Sequence, residues 1–280
     1  MKIFLTGATG KVGSRFAKYL LNKGMQVRVL VRDLDRAKFL QEQGAELILG
    51  DLSDKEALIN AISGTDAVVH LAAQFRGVTE EVAWESNVNG TKLLAEAALE
   101  AHVTRFIFSS TSLVYMDTPH TKPCLETDFL DPQGLYPKTK VASENILMNL
   151  KKTQGLDLRI LRFAFVYGDG DEHLAEFTPI MQTWNTEQKM SMIHHADICR
   201  ALYLAITTEK AATGIYNVAD DTPSSVGELL EYVQAAPIET ENSSTLNPFG
   251  MIQSTQTIEK ELSFKPKYAS YKAAYESGAL

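Results

Sequence analysis

Cysteine is scarce in this 280-residue chain: only Cys124 and Cys199 occur, with no paired spacing. That excludes a disulfide scaffold and a zinc ribbon, and it reads as two free thiols in a reducing compartment. Long apolar runs are also missing, and none approaches the roughly 20 residues needed to cross a bilayer. The first residues hold one lysine and three apolar residues before glycines begin, which does not resemble a secretory leader. A cytoplasmic setting without membrane contact is therefore expected. Basic excess is lacking as well. The formal net charge is -8, which argues against a nucleic-acid partner that would need a cationic face. No fixed-period repeat and no low-complexity tract is present. With 45% hydrophobic and 22% charged residues, the chain has ordinary globular composition and length for a large core.

What is present is an alternation. Short apolar runs fall at Ile3–Leu5, Val27–Val31, Leu47–Leu49, Val68–Leu71, Phe106–Phe108 and Leu158–Phe163. Between them lie helical patterns: Val12 to Lys23 closed by Gly24, Leu58 to Ile62 closed by Gly64, Gly90 to Ala101, and Lys138 to Lys152. Strands buried on both faces read as continuous apolar runs. Alternation with helices then predicts an α/β fold, a Rossmann-type doubly wound parallel sheet. Residues 1–168 are expected to form the nucleotide-binding domain. Residues 169–280 are expected to form a small C-terminal substrate lobe, with segments around 191–218 returning to the main sheet. Ile215–Val218 reads as a strand, Val226–Val233 and Ile258–Leu262 as helices, and Pro248 and Pro266 as breaks.

Between the first strand and the first helix stands Thr6-Gly7-Ala8-Thr9-Gly10-Lys11-Val12-Gly13. A turn without Cβ atoms lets backbone approach a phosphate, and the helix N-terminus offers N–H groups and positive partial charge. Gly7 permits the tight turn, Gly10 the close approach, and Gly13 helix packing. Alone, the triplet is weak evidence, with a glycine-rich strand-to-helix turn as the plain alternative; the βαβ setting favours the phosphate reading. Tyr136 and Lys140, four residues apart, share one face of a helix that Pro137 can open. By itself that spacing is more often structural than catalytic.

Taken in order, TGATGKVG, Gly50-Asp51-Leu52, Ser109-Ser110-Thr111 with Val114-Tyr115, and Tyr136-Pro137-Lys138-Thr139-Lys140 resemble the extended short-chain dehydrogenase/reductase family. That family includes nucleotide-sugar epimerases, dehydratases and dihydroflavonol-type reductases. The resemblance covers about the first 170 residues and implies hydride transfer between a nicotinamide and a secondary alcohol or ketone, sugar-like or a small carbonyl compound. Catalytic roles then fall to Thr111 as donor to the substrate oxygen, Tyr136 as acid/base, and Lys140 as ribose holder that lowers the phenol's pKa. Cofactor contacts fall to Gly7, Thr9, Gly10, Lys11, Val12, Gly13, Arg32, Asp51, Leu52, Leu71, Ala72, Ala73, Asn87, Ser109, Tyr136, Lys140 and Phe163. Arg32, 25 residues after Gly7, stands where a guanidinium would clamp a 2′-phosphate, so NADP is preferred over NAD. Asp33 meeting a ribose would suit NAD instead, and a solvated arginine is the plain alternative.

Other residues carry less. His70 reads as a packed, hydrogen-bonded side chain, Asn87 as partly a helix cap, and Tyr115 as a cleft wall. His194 and His195 beside Asp197 do not make a metal site, because neighbours on a strand face opposite ways; Asp197 reads as a structural anchor. Arg162-Phe163 and Val166–Gly170 resemble a family segment near the nicotinamide. Two departures matter. Only 21 residues separate Gly170 from Met192, where family members acting on nucleotide-diphospho sugars are longer, so the lobe is trimmed. His173, Phe177, Met181 and Trp184 either line its pocket or form a core helix. Ser112 and Leu113 replace the Asp-Glu that follows the threonine in 4,6-dehydratases, which disfavours dehydration. The resemblance also implies a homodimer through residues 90–101 and 138–152. A non-catalytic redox sensor that binds NADP(H) is the alternative from another class.

Overall fold

The computed structural model describes residues 1–115, 120–209, 211–238 and 246–280. Its centre is a seven-stranded sheet: β1 (Lys2–Thr6), β2 (Gln26–Val31), β3 (Glu46–Leu49), β4 (Ala67–His70), β5 (Arg105–Thr111), β6 (Asp157–Phe163) and, after three short strands, β10 (Ile215–Val218). The order is β10-β6-β5-β4-β1-β2-β3 and every neighbour is parallel. The apolar runs sit at the centre because both faces are covered; all four residues of β4 are buried.

Helices cover the two faces in separate cores. On one side, α1 (Lys11–Asn22), α2 (Leu34–Glu42), α8 (His195–Thr207) and α10 (Gln256–Leu262) bury Phe16, Leu40, Leu202 and Ile258 in one core with residues of β1, β2, β6 and β10. On the other, α3 (Lys55–Ile62), α5 (Gly90–Glu100) and α6 (Leu135–Gln154) bury Leu58, Leu94 and Leu147 against Phe106 and Phe108. A third core lies in the lobe. There α7 (His173–Met181), α9 (Val226–Tyr232) and α11 (Tyr271–Glu276) meet through Met181, Leu229 and Ala274. The short strands β7 (Phe165–Tyr167) and β9 (Met192–His194) pair with each other, as do β8 (Lys189–Met190) and β11 (Ser224–Ser225). Thus β10 and α8 return to the main sheet, whereas β9 does not. Among the described residues no helix is long and apolar enough to cross a membrane.

Among the helices, sequence periodicity misses α2, α4 (Glu80–Trp84) and α11. Helix α2 buries only Ala37 and Leu40, too thin a stripe to register, but Asp33 caps it by accepting from the amides of Asp35 and Arg36. Helix α4 continues through a π turn, Glu85–Asn89, into α5. Asn87 lies inside that continuous helix and caps nothing.

Candidate active site

Strand order reverses between β1 and β4, and the crevice that opens there is where ligands of doubly wound sheets dock. Two cavities meet in it at Leu71. One, of about 400 Å³, runs under the glycine turn along the carboxyl ends of β2, β3 and β4. The other, of about 550 Å³, spreads from the turn over β5 to the lobe.

The turn is shaped by contacts that exclude side chains. Gly7 has φ +74°, and a Cβ there would lie 2.5 Å from the Ala72 amide nitrogen. A Cβ on Gly13 would lie 2.1 Å from the Gly7 carbonyl oxygen, so Gly13 lets α1 pack on the turn itself rather than on the sheet. Gly10, whose added Cβ would meet only the Gly7 oxygen at 3.3 Å, faces the cavity. No side chain caps α1, so its first amides are available to an anion. This cradle fits a dinucleotide's pyrophosphate. Thr9, Arg32, Asp51, Leu52, Ala72 and Ala73 line the smaller cavity with Gly7 and Gly10. Arg32 is exposed at its edge. Asp33, engaged as a cap, is not among its lining residues.

His70 fastens this half together. Thr91 donates to the Asn87 carbonyl (2.5 Å), so its oxygen accepts from His70 Nε2 (2.8 Å). His70 Nδ1 therefore accepts from the Thr6 hydroxyl (2.6 Å), whose oxygen accepts from the Ala72 amide (3.4 Å). Complete burial lowers the His70 pKa to about 3, which keeps it neutral in this chain of bonds. Asn87 is a support of the same kind. Its carboxamide accepts from the Gln74 amide (2.7 Å) and donates to the Gln74 carbonyl (2.9 Å) and Thr139 (3.0 Å). It borders neither cavity; the expectation of direct cofactor contact gives way to a role in holding the loop that does line it.

Lys11, Val12, Ser109, Thr111, Tyr136 and Phe163 line the larger cavity. Thr111 ends β5, and its oxygen accepts from the Leu113 amide (3.2 Å), leaving its proton to donate. The Tyr136 hydroxyl has no hydrogen-bond partner among the described residues, and the edge of Phe75 packs on its ring at 4.7 Å. Lys140 lies beneath, fully buried. Its Nζ donates to the Ser109 carbonyl (2.8 Å) and stands 4.5 Å from the Phe108 ring and 5.7 Å from the Tyr136 ring.

The electrostatics differ from the expectation that lysine lowers the phenol. Burial pushes the Tyr136 hydroxyl well above the usual phenol range. The same loss of water draws the Lys140 ammonium down to about 7, with nearby Glu144 opposing the fall. Without a ligand the protein disfavours both charges, so the resting tyrosine is a protonated donor.

Several residues that sequence reasoning passed over complete the site. Arg162 donates to both oxygens of Glu144 (3.1 and 2.6 Å) and to the Tyr115 hydroxyl (2.5 Å), which in turn donates to Asn217 (2.9 Å). Ser110 adds a bond to Glu144 (2.5 Å). Tyr115 borders the cavity, but its hydroxyl is spent in this buried network. Across the cleft, Lys11 pairs with Asp171 (2.6 Å), whose other oxygen meets His195 Nε2 (2.7 Å); Arg15 pairs with Asp169 (2.6 Å). His194 instead caps α8, accepting from the Ala196 amide. Asp197 accepts from the amides of Lys267 and Tyr268 (2.6 and 3.1 Å), anchoring the C-terminal segment. No group of three or more potential metal ligands gathers among the described residues. His173, Phe177 and Trp184 face the larger cavity, whereas Met181 is core.

Residues 3–219 match the family model described as NAD dependent epimerase/dehydratase family. A 4-hydroxy-2-methyl-3-oxo-4-farnesyl-3,4-dihydroquinoline-1-oxide ketoreductase of Stigmatella aurantiaca is 28% identical, over 100% of this chain and 80% of that protein. A UDP-glucose 4-epimerase of Halalkalibacterium halodurans is 27% identical, over 99% of this chain and 94% of that one. Among solved structures, a short-chain dehydrogenase/reductase superfamily protein from Agrobacterium tumefaciens with bound NAD superposes with TM-score 0.80 at 25% identity. That match covers 96% of this chain and 93% of the other.

Proposed function

The chain belongs to the NAD dependent epimerase/dehydratase family, within the extended short-chain dehydrogenases/reductases, and from that membership we propose that it interconverts a ketone and a secondary alcohol using a nicotinamide dinucleotide. One observation carries the reading: Thr111 and Tyr136 line one cavity that opens from the glycine cradle, and neither hydroxyl donates to another of the described residues. When bound, a reduced nicotinamide supplies the hydride. The protein's part is proton and charge management. As negative charge grows on the substrate oxygen, Thr111 donates a hydrogen bond to it. Tyr136 gives its proton to the same oxygen, and its raised pKa keeps that proton available for donation. Lys140, near neutrality in its affinity for protons, sits where it can stabilise the phenolate left behind. In the oxidative direction each step reverses.

Reduction is preferred over epimerisation in this reading, with the ketoreductase relative as its support. Dehydration, which the family's name also covers, is set aside because Ser112 and Leu113 follow Thr111 and Leu113 has no proton to exchange. For the dinucleotide we propose NADP(H), supported by Arg32 lining the adenosine cavity while Asp33 is engaged as a cap; NAD is what the compared structure holds. A cytoplasmic setting suits the two buried free thiols, and the homodimer through residues 90–101 and 138–152 stands as a proposal that sedimentation velocity tests.

Tyr136→Phe tests the central claim. Turnover should fall by about 10²–10⁴-fold, with dinucleotide affinity retained. Undiminished turnover would remove Tyr136 from the chemistry. If no turnover exists and Tyr136→Phe keeps every cellular effect of the protein, the redox sensor becomes the better account.

A further inference from the structure

Beyond the Lys11 and Val12 end assigned to the dinucleotide, the larger cavity is mostly apolar. Its walls are aromatic and aliphatic: Leu113, Phe75, Phe165, Phe177, Trp184 and Met251 line it. The rings form a continuous series. His173 stacks on Phe165 with centroids 4.4 Å apart and planes 9° apart, Phe177 lies 5.4 Å from Phe165, and Trp184 meets Phe177 edge-on at 5.4 Å. Phe75 closes the opposite side against Tyr136.

The charges point the same way. Cations that are free to form bidentate or charge-assisted bonds strengthen the hold on a diphosphate. Only two permanent cations line this cavity among the described residues. Lys11 is held by Asp171 at 2.6 Å and approached by Glu176 at 3.8 Å. Arg76 lies on the exposed rim with its guanidinium over the Phe75 ring at 4.6 Å. Both carboxylates, Asp171 and Glu176, line the cavity and would face a diphosphate. Burial draws His173 and His195 below the ordinary imidazole value, against the pull of Asp171, which weakens both as cations. Of the undescribed residues only Lys210 is a cation, and residues 116–119 and 239–245 contribute none.

Resting on the hydride-transfer reading above, we propose that the substrate is an uncharged aromatic or otherwise apolar ketone, seated between Phe75 and the Phe165–Phe177–Trp184 wall, and not a nucleotide-diphospho sugar. The ring series supplies stacking surface and burial for a flat apolar body, while Thr111 and Tyr136 supply the two polar contacts that its carbonyl requires.

The test is calorimetric titration of the NADP⁺-loaded protein, in which a ketone binds without turning over. Propiophenone, UDP-glucose and UDP serve as probes. Saturable heat is expected with propiophenone and none with the two nucleotides, and Phe177→Ala should weaken propiophenone about tenfold through lost aromatic contact. Tighter binding of UDP-glucose than of propiophenone, or no saturable propiophenone binding, overturns the proposal; that comparison uses only the wild-type chain. Turnover separates the two layers of inference. Tyr136-dependent conversion of UDP-glucose would discard the apolar substrate and keep the hydride reading. Propiophenone that binds but is reduced with neither NADPH nor NADH would keep the apolar pocket and discard the hydride reading.

Discussion

Replacing Lys140 by methionine should stabilise the ligand-free protein in mild acid and destabilise it in base. Lys140 is 1% exposed, and burial lowers its pKa from 10.5 to about 7. Below pH 7 both folded and unfolded chains carry the proton, and the folded one holds it at a cost. Between pH 7 and 10.5 the unfolded chain binds more protons, so stability rises with pH and the cost is gone above 10.5. Linkage places a ceiling of about 5 kcal/mol on that cost. Methionine removes it while keeping an unbranched side chain beside Phe108, but it leaves the Ser109 carbonyl without its 2.8 Å donor, a loss of about 1–3 kcal/mol. The balance is a gain of about 2–3 kcal/mol at pH 6 and a loss of about 1 kcal/mol near pH 10. Urea unfolding of both proteins, followed by circular dichroism at pH 6, 8 and 10, measures the difference; tyrosine and cysteine titrations are common to both and cancel. A difference of constant sign and size across that range would refute the reasoning. On the proposed hydride-transfer reading, the same variant should lose turnover.

Further outcomes follow from the cleft. Arg32→Ala should weaken NADPH about 10–100-fold, the worth of charge-assisted bonds to one phosphate, while changing NADH little; equal losses by equilibrium titration would remove Arg32 as the discriminator. Gly13→Ala places a methyl 2.1 Å from the Gly7 oxygen and should cost about 1–3 kcal/mol in thermal or urea unfolding together with dinucleotide affinity; an unchanged protein would mean the turn can move aside. Asn87→Ala removes three hydrogen bonds around Gln74 and Thr139 and should cost about 2–3 kcal/mol, with weaker dinucleotide binding although Asn87 lines neither of the two cavities. An effect on unfolding with none on binding would confine Asn87 to the scaffold.

The central strands, the first helix and the glycine turn were legible from local chemistry. A strand covered on both faces must be apolar throughout, and a turn with backbone 2–3 Å from any added Cβ must be glycine. Both demands fall on contiguous residues, so they can be read along the chain. Helical spacing set Tyr136 and Lys140 on one face, but only the order of motifs that resembles the family singled them out. Helix α2 escaped because it buries just two side chains, though Asp33 signalled its start. The π turn at Asn87 escaped because it interrupts a helix without interrupting its composition.

Tertiary structure alone decided the rest. Arg162 with Glu144, Lys11 with Asp171 and Arg15 with Asp169 are partners 18, 160 and 154 residues apart, and no local pattern announces such pairs. The ionisation of Tyr136 and Lys140 is also a tertiary property: spacing placed a cation near a phenol, but the withdrawal of water by the surrounding protein outweighed that attraction and turned both groups toward neutrality. The aromatic wall of the larger cavity belongs here too, since Phe75, Phe165 and Trp184 come from separate segments and form one surface only in the folded chain.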